Sequence, residues 1–295
     1  MDKYLIINAD DFGMCHAHNA ATFELLQKGA ITSATIMACC PWAYEAVQFA
    51  KANPQFAIGV HLTNTSEWSS YRWPALTKAE SLTDDEGFMF HDCNGFVEKA
   101  KLEDVRAELV AQIGRLKGWG FEPSHADNHM GSLYGIHNGR FELLQTAVEI
   151  CGKYGFPFRF PTKFSAAQYA NGMFGIQIPM EQIAQAISSF TDYAKQLGVA
   201  MPDYLIPGDW NGPQNESYDN YREYICELYR TFEPGVTETY IHPAVECDEL
   251  KAIFDRWHQR VWEYRLFSDP KTIQHIDSLG IKLINYRDLK KMRGF

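Results

Sequence analysis

The chain has 295 residues, 46% hydrophobic and 22% charged, a soluble globular balance that is long for one ordinary domain but within the span of a single α/β barrel. Its formal net charge of −10 argues against nucleic acid or a membrane surface as partner, since both recruit clustered Lys and Arg, and favours a neutral or cationic small molecule. No basic segment with an apolar signal core follows Met1, no apolar run reaches membrane-spanning length, and the seven cysteines form no C-x-x-C, so a cytoplasmic protein without a zinc-thiolate site or disulfide framework is expected.

Tyr4 to Ile7 has the length and branching of a buried strand, and the segment continues N-A-D-D-F-G. Adjacent acids raise one another's pKa unless a cation is near. Asp10 and Asp11 therefore read either as a metal-binding carboxylate beside one that handles protons, or as a solvated turn in which Asp11 caps the next helix. Ala17 to Lys28 follows as a helix ended by Gly29, then an apolar run from Ala34 to Ala38, and a helix through Tyr44, Val47 and Ala50 stopped at Asn53-Pro54. Ala57 to Leu62 reads as a strand that ends G-V-H-L-T, with His61 at its terminus.

Residues 63 to 102 break this rhythm with Trp68, Tyr71, Trp73, Phe88, Phe90 and Phe96 among polar residues. Such an insertion is either a lid or sugar-stacking loop, or a small satellite core. Helical spacing returns at Val105, Leu109, Ile113 and Leu116, and Phe121 to His125 reads as a strand entering H-A-D-N-H. A helix through Phe141, Leu144, Val148 and Cys151 precedes a strand at R-F-P, and a loop to Pro179 leads to a helix through Ile187, Phe190 and Leu197. Further strands at Tyr204 to Ile206, Thr237 to Ile241 and Ile281 to Ile284 alternate with helical stretches. Seven or eight β-then-α units without a linker predict one domain, residues 1–295, built on a closed or nearly closed parallel (β/α) barrel.

Asp10 and Asp11, His61, His125 with Asp127 and His129, Arg159, Asp209 and His242 each fall at or just past a predicted strand end. In a parallel barrel those ends share one face, where active sites are built. A lone histidine is usually structural; several at equivalent places are harder to explain that way. A carboxylate with two imidazoles leaves a metal with open positions, and a second acid, an arginine and a further histidine complete an inventory for metal-assisted amide or ester hydrolysis.

N-A-D-D-F-G, G-V-H-L and S-H-A-D-N-H, with R-F-P, P-D-Y-L-I-P-G-D-W, Y-I-H-P and I-N-Y-R-D-L after them, resemble the YdjC-like carbohydrate deacetylases, which include chitooligosaccharide deacetylases. The resemblance implies a distorted (β/α) barrel of seven or eight parallel strands and one divalent metal ion, zinc or magnesium, held by Asp11, His61 and His125. It also implies removal of an acetyl group from an N-acetylated sugar or oligosaccharide. By the logic of the wider polysaccharide deacetylases, Asp10 is the base, Arg159 its partner and His242 the acid. The family segment after the metal histidine is usually richer in histidine, whereas this chain continues M-G-S-L-Y-G after His129.

Asp127, His129, Asp209, Trp210 and Trp68 are candidate substrate contacts. Each has a plainer reading: Asp127 as a turn acid or an acid that orients an imidazole, His129 as a loop residue, and the tryptophans as packing groups. His16, His18 and His137 lack a strand-end position and read as surface or capping residues. The competing functions are another metal hydrolase, such as a phosphoesterase, on the same ligands, and a non-catalytic saccharide-binding protein. The first is disfavoured by the scarcity of Lys and Arg at strand ends, the second by an acid-base pair that binding alone does not require. The sequence leaves open whether the chain forms a homo-oligomer.

Overall fold

The computed structural model describes residues 2–135, 139–166, 168 and 180–295. Its central strand is β1 (Lys3–Phe12), buried at every residue from Leu5 onward. A strand covered on both faces needs apolar side chains without alternation, which Leu5, Ile6, Ile7, Ala9 and Phe12 supply. On one side lie β2 (Ser33–Ile36), β3 (Ala57–Leu62) and β4 (Ala126–Asn128), and on the other β6 (Gly235–Ile241) and β5 (Tyr204–Leu205), all parallel in the order β4-β3-β2-β1-β6-β5. β7 (Ile281–Leu283) pairs with the first residues of β1, Lys3 to Leu5, ahead of the β2 pairing that starts at Asn8.

This seven-stranded sheet curls into an incomplete barrel. In the gap between β4 and β5, irregular chain carries the hydrogen bonding onward. Arg159 N–H donates to the Ala126 carbonyl at 3.2 Å, Phe158 N–H to the Ala200 carbonyl at 2.9 Å, and Asp203 N–H to the Val236 carbonyl at 2.8 Å. The strand expected at R-F-P is reduced to one bridge, Phe158 to Ala126. Pro157, Pro161 and Pro202 each lack the N–H that a regular ladder requires.

Eleven helices are described: α1 (His16–Gln27), α2 (Ala43–Ala52), α3 (Cys93–Lys99), α4 (Leu102–Gly118), α5 (Phe141–Tyr154), α6 (Met180–Gln196), α7 (Tyr218–Arg230), α8 (Asp248–Ile253), α9 (Trp257–Ser268), α10 (Pro270–Ser278) and α11 (Tyr286–Met292). Their ends follow from sequence chemistry. Gly155 takes the left-handed conformation, φ 69°, that closes α5, Ser217 caps α7 by accepting from Asn220 N–H, and Asn285 with Asp288 forms a reciprocal capping box on α11. The loop expected up to Pro179 lies largely outside the described residues. No helix among the described residues is long and apolar enough to cross a membrane.

Residues 63 to 102 are folded onto the scaffold. Trp73 is 1% exposed, with its Nε1 donating to the Thr65 carbonyl at 2.9 Å, and Phe96 is fully buried. The buried Glu108 of α4 accepts from Leu76 N at 3.0 Å and from Thr77 N at 2.9 Å, so one carboxylate of the scaffold fixes the path of the insertion.

The close approach of β3 to the chain entering β4 depends on Gly59. A Cβ built there would lie 2.5 Å from the His125 carbonyl oxygen and 2.8 Å from its ring. Gly59→Ala is expected to cost about 1–3 kcal/mol by overpacking; a melting temperature equal to the parent's, measured calorimetrically, would show that this contact relaxes freely.

Candidate metal and acid-base site

Both acids of the D-D pair line one cavity, although neighbours on a strand normally face opposite sides. The pairing of β1 with β2 shifts register between Ala9 and Phe12, and Asp11 inside that shift has φ +57°. This bulge with a left-handed residue re-aims Asp11 toward the side that Asp10 already faces, and an aspartate tolerates the conformation better than most residues.

Asp11 is 1% exposed, and neither carboxylate oxygen has a hydrogen-bond partner. What surrounds it is imidazole: His61 Nε2 is 3.5 Å and His129 Nδ1 3.3 Å from Asp11 Oδ1. Ligand atoms of Asp11, His61 and His129 all lie within 4.8 Å of one another. Each ring is fixed from behind by a carboxylate, Asp127 Oδ1 at 2.6 Å from His61 Nδ1 and Glu67 Oε2 at 2.9 Å from His129 Nε2. A carboxylate that takes the far ring nitrogen directs the other nitrogen's lone pair toward a shared point, the usual backing of metal-ligating histidine. An orphaned buried carboxylate facing two oriented imidazoles fits a divalent cation. A second cluster, Asp10, His61 and Asp127, fits less well, because Asp10 and Asp127 already accept from Arg159, Asn8 and Thr35.

Arg159 is 2% exposed and makes a bidentate pair with Asp10, both bonds 2.7 Å. Its Nη2 also lies 2.8 Å from Asp127, and its Nε donates to Glu238 at 2.8 Å. Glu238 in turn accepts from the Tyr286 hydroxyl. Burial raises the pKa of Glu238 to about 7, with Arg159 opposing the rise. The base candidate is thereby held in a fixed orientation, with Asn8 Nδ2 donating to it at 2.8 Å as well.

On the strand next to β1, His242 follows β6 directly, and its backbone N–H donates to the buried Glu263 at 2.7 Å. Burial, helped by the nearby Arg260 guanidinium, holds its pKa well below the ordinary histidine value. A proton placed on this ring is readily given up. Asp10, Asp11, His61, His129, Arg159 and His242 thus share one cavity of about 350 Å³.

The structure does not bring His125 into this group. β4 starts only at Ala126, so His125 precedes the strand and it is His129 that follows its end, four residues or about 13 Å farther along an extended chain. His125 stacks on Tyr286 with ring centroids 3.9 Å apart, and burial lowers its pKa to about 3. Asp209 is exposed, tied to Tyr224 and Gln214, and Trp210 stacks on Tyr221 at 4.4 Å. Trp68 packs against Phe254 at 4.2 Å. None of these three lines the cavity. Asp127 instead fixes His61, and Glu67, Glu238, Glu263 and Arg260 were not singled out by sequence: Glu67 and Arg260 occupy no strand end, Glu263 sits on α9, and Glu238 lies in mid-strand. His16 is exposed and pairs with Glu45, but His18 is fully buried against Phe254, contrary to the surface expectation; His137 lies outside the described residues.

A family model described as "YdjC-like protein" matches residues 4–278. A carbohydrate deacetylase of Enterococcus faecalis is 37% identical over 292 residues, 98% of each chain. A carbohydrate deacetylase of Thermoanaerobacter pseudethanolicus is 26% identical, with 98% of this chain and 100% of the relative covered. A chitooligosaccharide deacetylase of Yersinia enterocolitica is 34% identical over 132 residues, 44% of this chain and 50% of the relative. Among solved structures, an Enterococcus faecalis protein named for a suspected cleavage of cellobiose phosphate superposes with a TM-score of 0.74 at 26% identity, covering 98% of this chain and 99% of that one.

Two outcomes test the cluster. His61→Ala and His129→Ala should each lose a bound divalent cation on dialysis while His125→Ala keeps it; metal analysis showing the reverse pattern for His125 and His129 would refute the grouping. Burial alone would depress the pKa of His61, but the carboxylates of Asp127 and Asp10 outweigh it and raise the value to about 9. A cation needs both rings neutral, and, outweighing burial, the carboxylates of Glu67 and Asp11 hold His129 well above the ordinary histidine value as well. Affinity should therefore climb by about tenfold or more per pH unit at least up to pH 9, and binding should release protons. Calorimetric titration between pH 6 and pH 10 that found a constant affinity would contradict this.

Proposed function

The chain belongs to the family of YdjC-like proteins, and from that premise we propose that it is a metal-dependent hydrolase that removes the acetyl group from an N-acetylated sugar or oligosaccharide. The observation that carries the reading is Asp11, a buried carboxylate without hydrogen bonds, facing the free nitrogens of His61 and His129 beside an independently fixed acid, Asp10. Saccharide binding alone would not call for such an arrangement.

Asp11, His61 and His129 would hold the cation, and two nitrogens with one oxygen suit zinc or a neighbouring transition metal better than magnesium. When bound, the cation supplies Lewis acidity at the acetamide carbonyl and lowers the pKa of the attacking water. Asp10, aimed by the Arg159 fork, takes a proton from that water as its oxygen bonds to the carbonyl carbon. His242, which follows the neighbouring strand β6, relays to the nitrogen the proton that Asp10 took up, as the carbon–nitrogen bond breaks and the electron pair leaves with the amine. Acetate and a free amino sugar result. Glu263 fixes where that proton is delivered by anchoring the His242 backbone.

A cavity of about 350 Å³ is at the small end of ligand sites, roughly 300–1,000 Å³. It suits one terminal sugar unit with its acetamide, the rest of an oligosaccharide lying outside. Acetate release from small N-acetylated sugars, assayed with several divalent metals, tests the proposal; none from any of them would sink it. Asp10→Asn keeps shape and removes basicity, so it should retain metal and substrate affinity while kcat falls at least about 10²-fold. Normal turnover, or a variant purified without metal, would reassign Asp10.

A further inference from the structure

Arg260 has no role in the scheme above, yet its placement calls for one. It projects from α9 into the cavity, 17% exposed, with its guanidinium above the Phe254 ring at 5.3 Å. The nearest carboxylate oxygen is Asp11 Oδ2, at 3.9 Å from Nη2, too far for a hydrogen bond. Among the described residues this guanidinium donates no hydrogen bond, whereas the cavity's other arginine, Arg159, is engaged by three carboxylates. A largely covered arginine with free donors facing a cavity is costly to keep unless something arrives to accept from them.

Its position says what arrives. Arg260 lines the same cavity as Asp10, Asp11 and His242, with its Nη2 3.9 Å from Asp11 Oδ2. The Ala244 N–H donates to the Arg260 carbonyl at 3.2 Å, so the segment that carries His242 is tied to the same turn of α9. In acyl transfer the carbonyl oxygen and the leaving nitrogen are bonded to one tetrahedral carbon. The attacking oxygen is bonded to that carbon as well, so a donor for the carbonyl oxygen must line the same cavity as the base, the metal-capable cluster and the acid, as Arg260 does.

We infer that Arg260 is the side-chain donor to the acetamide oxygen, strengthening its hydrogen bond as that oxygen gains the electron pair of the carbonyl π bond and releasing it when the pair returns. This rests on the deacetylase reading. No proton leaves the guanidinium, and Asp11 forms no strong pair with Arg260 that would have to break first. Donors aimed at developing charge contribute more to the transition state than to the bound substrate.

The test uses the metal-loaded enzyme and Arg260→Gln, Arg260→Met and Arg260→Lys. Arg260→Gln and Arg260→Met should keep full metal content and a KM within about twofold of the parent, yet lose about 10²-fold or more in kcat, the scale seen when one oxyanion donor is removed. Arg260→Lys should recover part of the loss. A second readout does not depend on turnover: a phosphonamidate analogue, with a tetrahedral anionic centre in place of the acetamide, should weaken in the variants by the same factor as kcat/KM. The unreacted N-acetyl sugar, bound at low temperature, should not. Loss of metal, a raised KM at normal kcat, or unchanged phosphonamidate affinity would overturn the assignment and leave the deacetylase reading standing. A parent enzyme that releases no acetate would overturn both.

Discussion

The buried guanidinium of Arg159 is the interaction on which the site depends. It receives Asp10 from β1, Asp127 from β4 and Glu238 from β6, three strands spread across the sheet. Burying one cation with three acids would be very costly if all were ionised. The cost falls because burial pushes the pKa of Glu238 up to about 7 and because His61, raised to about 9, adds a second positive charge beside Asp10 and Asp127. The network therefore sits near balance, and every oxygen it contains has a defined direction. Removing any one partner would leave an uncompensated charge, which is why the orientation of Asp10 is so strongly specified.

The same residues divide the labour between scaffold and insertion. Asp127 backs His61 from the sheet, while Glu67, in the segment after β3, backs His129. The stretch that reads as a lid or a satellite core is thus packed inward, through Trp73 and Phe96, and also supplies Glu67, the carboxylate that fixes the His129 ring. Tying an orienting acid to a segment anchored by Glu108 couples the folding of that segment to the direction of a metal-capable ring.

Two backbone departures make the arrangement possible. The bulge at Asp11 turns adjacent acids to a common cavity, and Met130, φ +54°, reverses the chain after His129 so that Met130 and Gly131 line the same space. Regular strands would have put one of the two aspartates behind the sheet. Both departures sit at the ends of strands, where lost ladder hydrogen bonds cost least.

The sequence by itself determined the α/β class of the fold and the family, and it named polar residues that come to line one cavity. Short apolar runs alternating with 3.6-period stretches can bury themselves only as a parallel sheet between helices, and polar residues at the ends of such runs must share one rim; this located Asp10, Asp11, His61, Arg159 and His242. Tertiary structure decided the rest. Whether His125 or His129 meets Asp11 depends on where β4 begins, and a three-residue strand leaves too few side chains for periodicity to fix its start. That both members of an adjacent acid pair face one way follows from a bulge, which is a property of pairing with β2 and not of the residues alone. Glu67, Glu238 and Arg260 carry no local signal, because their importance lies in distances to groups that are remote along the chain, and only the packing of β6, α9 and the insertion around one cavity creates those distances.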